Sequence, residues 1–373
     1  MTQFVVNDGA GPRLHAFVVG VSRYPYIAKG LGEAEARRLL GDLAPITVPR
    51  PSAVAVAEWL LHADQGTTEA PVGTLEVLIS AEEAVTLDSA KIDTATFVNF
   101  REAFVRWRKH CSTDEANIAL FYFCGHGWKP GEQLLLLEDL GEDPDRLLAN
   151  SVDLAAMRAA MYTCGARTQV YFIDACREIP RDLLTLRSSP TPLMDASKLT
   201  GALPHVDAPV FFSTADGQSA FGDGGMATPY TDALIAALGG RAARRGLTGW
   251  TVTTGSLASD LQRIIEWNRP PGRPRQHVTI DGLASTGVLR SLTGPPKVPF
   301  RVACEPPAPA SVTASPVPPT AAATDLEFEG AFGEIAVGVY VVSVSYPDGS
   351  KSDPVYRSID PPNSEFSIMG EQL

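Results

Sequence analysis

Cysteine is scarce in this sequence. The five present, Cys111, Cys124, Cys164, Cys176 and Cys304, form an odd set with no C-x-x-C pair. That excludes a disulfide framework and a paired-cysteine zinc site, and it points to a reducing, cytoplasmic compartment. Any cysteine that matters here matters for its thiol. Long apolar runs are missing too, since none approaches the roughly 20 residues that a membrane-spanning helix needs. Residues 1–12 hold Asn7, Asp8, Gly9 and Gly11 around the short apolar run 4–6 and do not read as a secretory signal. Basic residues are in deficit, 31 against 43 acidic ones, for a net charge of −12. Such an excess repels phosphate backbones and anionic membranes, so neither nucleic acid nor membrane is an expected partner; a basic substrate is favoured.

What is present is an ordinary globular composition, 45% hydrophobic over 373 residues, enough for one large domain and a small one. The runs 14–21, 75–79, 117–124, 133–138, 169–174 and 209–214 are rich in Val, Ile, Leu, Phe and Tyr. Their continuity predicts strands buried on both faces, as in a parallel sheet. Helical periodicity fills the intervals. Phe97, Phe100, Phe104 and Trp107 recur at three- and four-residue steps, a single aromatic stripe that belongs against a core. Ser52, Ser151 and Ser256 stand as N-caps before further stripes. The alternation predicts an α/β sandwich, helices on both faces of a mostly parallel sheet, over residues 1–292.

Composition then changes. Nine prolines fall between Gly294 and Thr320, and no charged residue occurs from Pro306 to Thr324. Residues 293–325 therefore read as a Pro/Ala/Thr-rich linker. Residues 326–373 read as a small β-rich module, with alternating runs at 337–346 and 355–359 around a Pro-Asp-Gly-Ser turn. At 48 residues it is near the lower limit for independent folding, so it is expected to lean on the main domain or on a partner protein.

Two of the buried runs end in reactive residues. The run 119–124 leads into Gly125-His126-Gly127, and 170–173 leads into Asp174-Ala175-Cys176-Arg177. Ligands of open parallel sheets sit outside the carboxyl ends of the strands, so His126 and Cys176 can meet over one crevice although 50 residues separate them. A cysteine nucleophile needs a neighbouring imidazole to take the thiol proton and later to protonate the leaving amine. Glycines beside His126 allow close approach of a substrate backbone. Cys124 and Cys164, inside apolar surroundings, read as small hydrophobes. A nucleotide-binding reading fails at the first strand, where Gly20-Val21-Ser22-Arg23 offers a single glycine.

This constellation resembles the caspase-like cysteine peptidases of clan CD: caspases, paracaspases, metacaspases and bacterial homologues. Asp174-Ala175-Cys176-Arg177 stands where caspases have Q-A-C-R, with His126 at the expected distance upstream. The strand end Ser213-Thr214-Ala215-Asp216-Gly217-Gln218-Ser219-Ala220 is similar to that of metacaspases. Thr228-Pro229-Tyr230-Thr231-Asp232-Ala233-Leu234 is similar to the family's next helix start. The resemblance covers roughly 14–289 and departs after Cys176, where caspases have Arg-Gly and metacaspases His-Ser-Gly but this sequence has Arg177-Glu178. It implies an endopeptidase with Cys176 as nucleophile, His126 as base, and the N–H groups of Gly127 and Cys176 as oxyanion hole. It also implies Asp174 and Asp216 as acids of an S1 pocket for Arg or Lys, since a carboxylate there pairs with a guanidinium and repels an acid. Segment 180–207 then reads as an activation loop, cut at Arg187 or alternatively at Arg181 or Lys198. Metal and cofactor are not expected. The alternative is a catalytically inactive caspase-like scaffold.

Overall fold

The computed structural model describes residues 2–7, 9–27, 46–62, 70–129, 131–176, 189–194, 206–214, 225–282, 286–305, 309–317 and 325–369. Its central sheet has seven strands: β1 (Gln3–Val5), β2 (Leu14–Val21), β3 (Val72–Ser80), β4 (Ile118–Gly125), β5 (Thr168–Ala175), β6 (Val210–Phe212) and β7 (Thr279–Asp281). The spatial order is β1-β3-β2-β4-β5-β6-β7. Strands β3, β2, β4, β5 and β6 run parallel, and the two edge strands are antiparallel to their neighbours. Strands β2, β3 and β4 are buried along their whole length, which is why they read as continuous apolar runs rather than as alternation.

Helices cover both faces. On one lie α2 (Phe97–Cys111) and α3 (Leu154–Tyr162), with the aromatic stripe Phe100, Phe104 and Trp107 packed on Phe17 and Phe121. On the other lie α1 (Pro49–His62), α4 (Pro229–Ala236) and α5 (Thr254–Asn268), packed on Tyr122, Phe172 and Phe211. The run 133–138 joins a different, small sheet, in which Leu134–Leu136 pairs with Gly127–Trp128 and Ser151–Asp153.

The three serines expected as N-caps serve otherwise. Ser52 lies inside α1, and its hydroxyl accepts the Thr228 N–H at 3.0 Å. Asp153, not Ser151, caps α3, and Thr253 caps α5 with Ser256 as the reciprocal partner of a capping box. Each true cap lies in extended backbone just before its helix, a distinction that hydroxyl content alone does not make.

The expected linker is corrected more deeply. Within 293–325 lie two strands, β8 (Lys297–Glu305) and β9 (Ser311–Val317). They join β10 (Leu326–Glu329), β11 (Phe332–Ala336), β12 (Gly338–Ser345), β13 (Val355–Ile359) and β14 (Ser364–Met369) in two sheets, β11-β8-β14 and β10-β9-β12-β13. Val298, Phe300, Val302, Val312 and Ala314 supply part of their shared core. Two of the prolines that suggested a linker lie within these strands, each where the strand has one neighbour only. Pro299 pairs with β11 ahead of the point where β14 begins, and Pro316 pairs with β12 beyond the end of β10. A missing N–H costs no ladder bond there. The expected hairpin is present as β12 and β13.

The β-sandwich is docked on the α/β domain. Arg241, in the π-turn that continues α4, is buried; its Nε donates to the Pro362 carbonyl at 3.1 Å and its Nη1 to Asn268 Oδ1 at 3.2 Å. Arg301 lies over the Trp267 ring at 4.7 Å.

Candidate active site

The register of β4 against β5 brings the two reactive residues together. Asp174 pairs with Cys124 and Ala175 with Gly125, so His126 and Cys176 are the next residues of two adjacent parallel strands. Both are half-buried. Gly127 shows how closely the two strand ends approach. A carbon added at its Cα would lie 2.8 Å from the Cys176 carbonyl oxygen, 2.6 Å from Gln133 Nε2 and 3.0 Å from Ala175 Cβ. Only glycine fits. Gln133, itself buried, donates from Nε2 to the Leu134 carbonyl at 3.2 Å and reaches the Cys176 carbonyl at 3.4 Å.

The backbone of His126 is held from both sides. Its N–H donates to Tyr24 Oη at 2.9 Å, and its carbonyl accepts the Leu136 N–H at 3.1 Å. The Tyr24 ring packs on the imidazole with centroids 5.1 Å apart at 45°. Tyr24 is buried, and burial pushes its phenol far above the ordinary range. Tyr24 and Gln133 were not singled out from sequence, because their work is done through main-chain atoms and no side-chain motif announces it.

Asp174 points to the opposite face from Ile173 and Ala175, towards α4, and is 1% exposed. The hydroxyl of Thr228 donates a short hydrogen bond to Oδ2, and Thr231 donates another at 3.1 Å. Thr231 is tied to Tyr122 Oη at 2.7 Å, so the acid rests on a fixed hydroxyl chain. Oδ1 faces Ser213, and neither Oδ1 nor Ser213 Oγ has a well-aligned hydrogen bond. Desolvation raises the Asp174 pKa, and the hydroxyl donors oppose that rise. Among the described residues, the groups that act on this carboxyl are hydroxyls and the Cys124 thiol. Clefts flank the region: one of about 650 Å³ is lined by Ser22, Arg50, Glu82 and Gly225, and one of about 290 Å³ by Met226, Asp232, Asn268 and Gln276.

Cys124 and Cys164 are buried as expected. Burial raises the Cys124 thiol, whereas a hydrogen bond from Cys111, aided by Ser112, lowers Cys164 to about 6. Asp216, Arg181, Arg187 and Lys198 lie outside the described residues. Of the expected activation loop 180–207, residues 189–194 and 206–207 are described, and the first stretch is anchored. Leu193 is buried with its carbonyl on Arg101 Nε at 3.2 Å, and the Thr191 N–H donates to the Ala149 carbonyl at 3.0 Å. Among the described residues no group of His, Cys, Asp and Glu is placed to hold a metal ion, and no helix is long and apolar enough to cross a membrane.

The family model for the caspase domain matches residues 79–264, which span both reactive strand ends. An uncharacterized protein of Sinorhizobium fredii, y4kE, is 27% identical over 239 residues, covering 59% of this chain and 69% of the relative. The crystal structure of caspase-1 from Spodoptera frugiperda superposes with a TM-score of 0.44 at 13% identity, over 74% of this chain and 91% of that one. Residues 79–264 thus carry a caspase domain, set on a mostly parallel sheet with helices on both faces.

Proposed function

We propose that the protein is a cysteine endopeptidase that cleaves after Arg or Lys. The observation that carries this reading is the β4–β5 register, which makes His126 and Cys176 neighbours at the carboxyl edge of the sheet. In the reaction, His126 takes the Cys176 thiol proton and the thiolate attacks the scissile carbonyl carbon. The N–H groups of Gly127 and Cys176 receive the developing oxyanion. Collapse breaks the C–N bond, and the imidazolium returns its proton to the leaving amine. Water, deprotonated by the same imidazole, then releases the acid product and restores the thiol.

Asp174 supplies the basis for P1 selection, with Asp216 as the second acid of the pocket. A desolvated carboxyl held only by hydroxyl and thiol donors among the described residues is neutralised best by an arriving guanidinium or ammonium. An acidic P1 side chain would add like charge to a desolvated site. Protein substrates with Arg or Lys at the cut are the partners this chemistry selects. The same preference makes Arg187, then Arg181 and Lys198, the self-processing positions of the 180–207 segment. The β-sandwich serves as the surface that recruits a partner protein.

The test is a peptide-library cleavage profile of the wild type beside Cys176→Ala, together with an activity probe that acylates cysteine. Cleavage confined to Arg and Lys sites and lost in Cys176→Ala supports the reading. Absence of both cleavage and probe labelling in folded protein supports the inactive scaffold instead.

A further inference from the structure

We propose that Tyr24 is a positioning residue that sets the imidazole of His126. The proposal rests on the His126–Cys176 reading above. His126 stands between two glycines, Gly125 and Gly127, which leave its backbone free to wander unless something else fixes it. The fixing bonds are its N–H to Tyr24 Oη at 2.9 Å and its carbonyl from the Leu136 N–H at 3.1 Å. Having accepted the His126 N–H, the phenol donates onward to the Val21 carbonyl at 3.3 Å, with the Leu136 carbonyl at 3.5 Å. One hydroxyl therefore ties the end of β2, the histidine loop and the strand Leu134–Leu136 into one body.

Simple core filling does not account for this arrangement. A phenylalanine would fill the same volume, yet it would leave the His126 N–H without its acceptor. The phenol ring also backs the imidazole, with centroids 5.1 Å apart, so backbone and side chain of His126 are set by a single residue. Burial keeps the phenol protonated across the working range, so it accepts and donates at once at every relevant pH. The crowding leaves no slack, because a carbon added at Gly125 would come within 3.2 Å of Tyr24 Oη. A misplacement of about 1 Å in such a group costs on the order of 100-fold in rate.

The test compares full-length wild type, Tyr24→Phe and His126→Ala. Turnover of a fluorogenic peptide with Arg at P1 is measured, and so is the pH profile of Cys176 alkylation by iodoacetamide, read by mass spectrometry. Tyr24→Phe is expected to keep KM within about twofold and to lose roughly 10- to 100-fold in kcat. Its alkylation midpoint should move by about half a pH unit or more, because the thiolate is stabilised by an imidazole that is no longer held. His126→Ala should lose turnover altogether. Wild-type kcat and an unmoved alkylation profile in Tyr24→Phe overturn the role of Tyr24, and a dead His126→Ala then leaves the dyad standing. Retained turnover in His126→Ala overturns both. Amide hydrogen exchange in the wild type bears on the proposal without any variant: the His126 amide should be strongly protected, and exchange at the rate of an unstructured peptide refutes the hydrogen bond to Tyr24.

Discussion

Replacing Asp174 by Asn should separate recognition from chemistry. The carboxyl is 1% exposed and rests on Thr228 and Thr231, with Ser213 and Cys124 beside it. Asparagine preserves the shape and one acceptor but removes the charge. A guanidinium buried against it would lose its counter-ion, a change worth about 3–5 kcal/mol. At about 1.36 kcal/mol per tenfold, kcat/KM on Arg peptides should fall between about 10²- and 10⁴-fold. The assay pairs two peptides that differ only at P1, Arg in one and citrulline, its neutral isostere, in the other. Wild type should strongly prefer Arg, and Asp174→Asn should lose that preference while Cys176 alkylates at its ordinary rate. Proton linkage adds a second arm. The Asp174 pKa is raised in the folded protein, so its carboxylate is the costly form there. Stability from this group is full below the unfolded value of 3.8 and is lost as pH rises through the higher folded value. Asp174→Asn should therefore be at least as stable as wild type at neutral pH. The wild-type preference for Arg over citrulline, in which the titration of the shared dyad cancels, should fall on the acid side with an apparent pKa above 3.8. Cleavage of Arg peptides by Asp174→Asn within about threefold of wild type would refute the pocket assignment.

Cys176→Ala and His126→Ala should each abolish turnover, and the double variant should be little worse than either, because the two act as a unit; additive losses in kcat/KM would argue against the dyad. Purified wild type, mapped by mass spectrometry beside Cys176→Ala, should be cut at Arg187; a chain that stays intact within 180–207 while cleaving peptides rapidly excludes self-processing there. A chain ending at Gly294 should keep Cys176 reactivity but melt several degrees lower, because Arg241 loses the Pro362 carbonyl and Trp267 loses Arg301. An unchanged melting temperature would show that the docking contributes no stability.

The sheet was legible because β2, β3, β4 and β5 are buried on both faces and so appear as uninterrupted apolar runs. The shared edge of the strand ends before His126 and Cys176 was legible for a related reason, since parallel strands align their carboxyl ends. What escaped were features carried by the main chain or by pairing at a distance. Ser52 looks like a cap but spends its hydroxyl on Thr228, a residue remote in sequence. Gln133 and Tyr24 act on peptide groups, which every residue possesses. The strands at Lys297–Glu305 and Ser311–Val317 were hidden by prolines whose missing N–H groups face unpaired stretches, a matter of neighbours that one strand alone cannot reveal.

The way the β-sandwich is attached carries a consequence for how a recruited protein would be presented. Only residues 293–296 separate the last strand of the α/β domain, Val288–Leu292, from β8. Pro296 closes against Gly240, where an added carbon would lie 2.9 Å from the proline ring. A binding module on a long flexible tether sweeps a volume and raises the local concentration of any cargo, whatever its shape. This one is bolted on. A protein captured by the sandwich arrives at one bearing and one distance from Cys176, so its cleavable segment gains only when its own spacing matches that offset. On the proposed function, the docked sandwich would act as a ruler, choosing among basic sites by where they lie on the substrate rather than by their sequence alone.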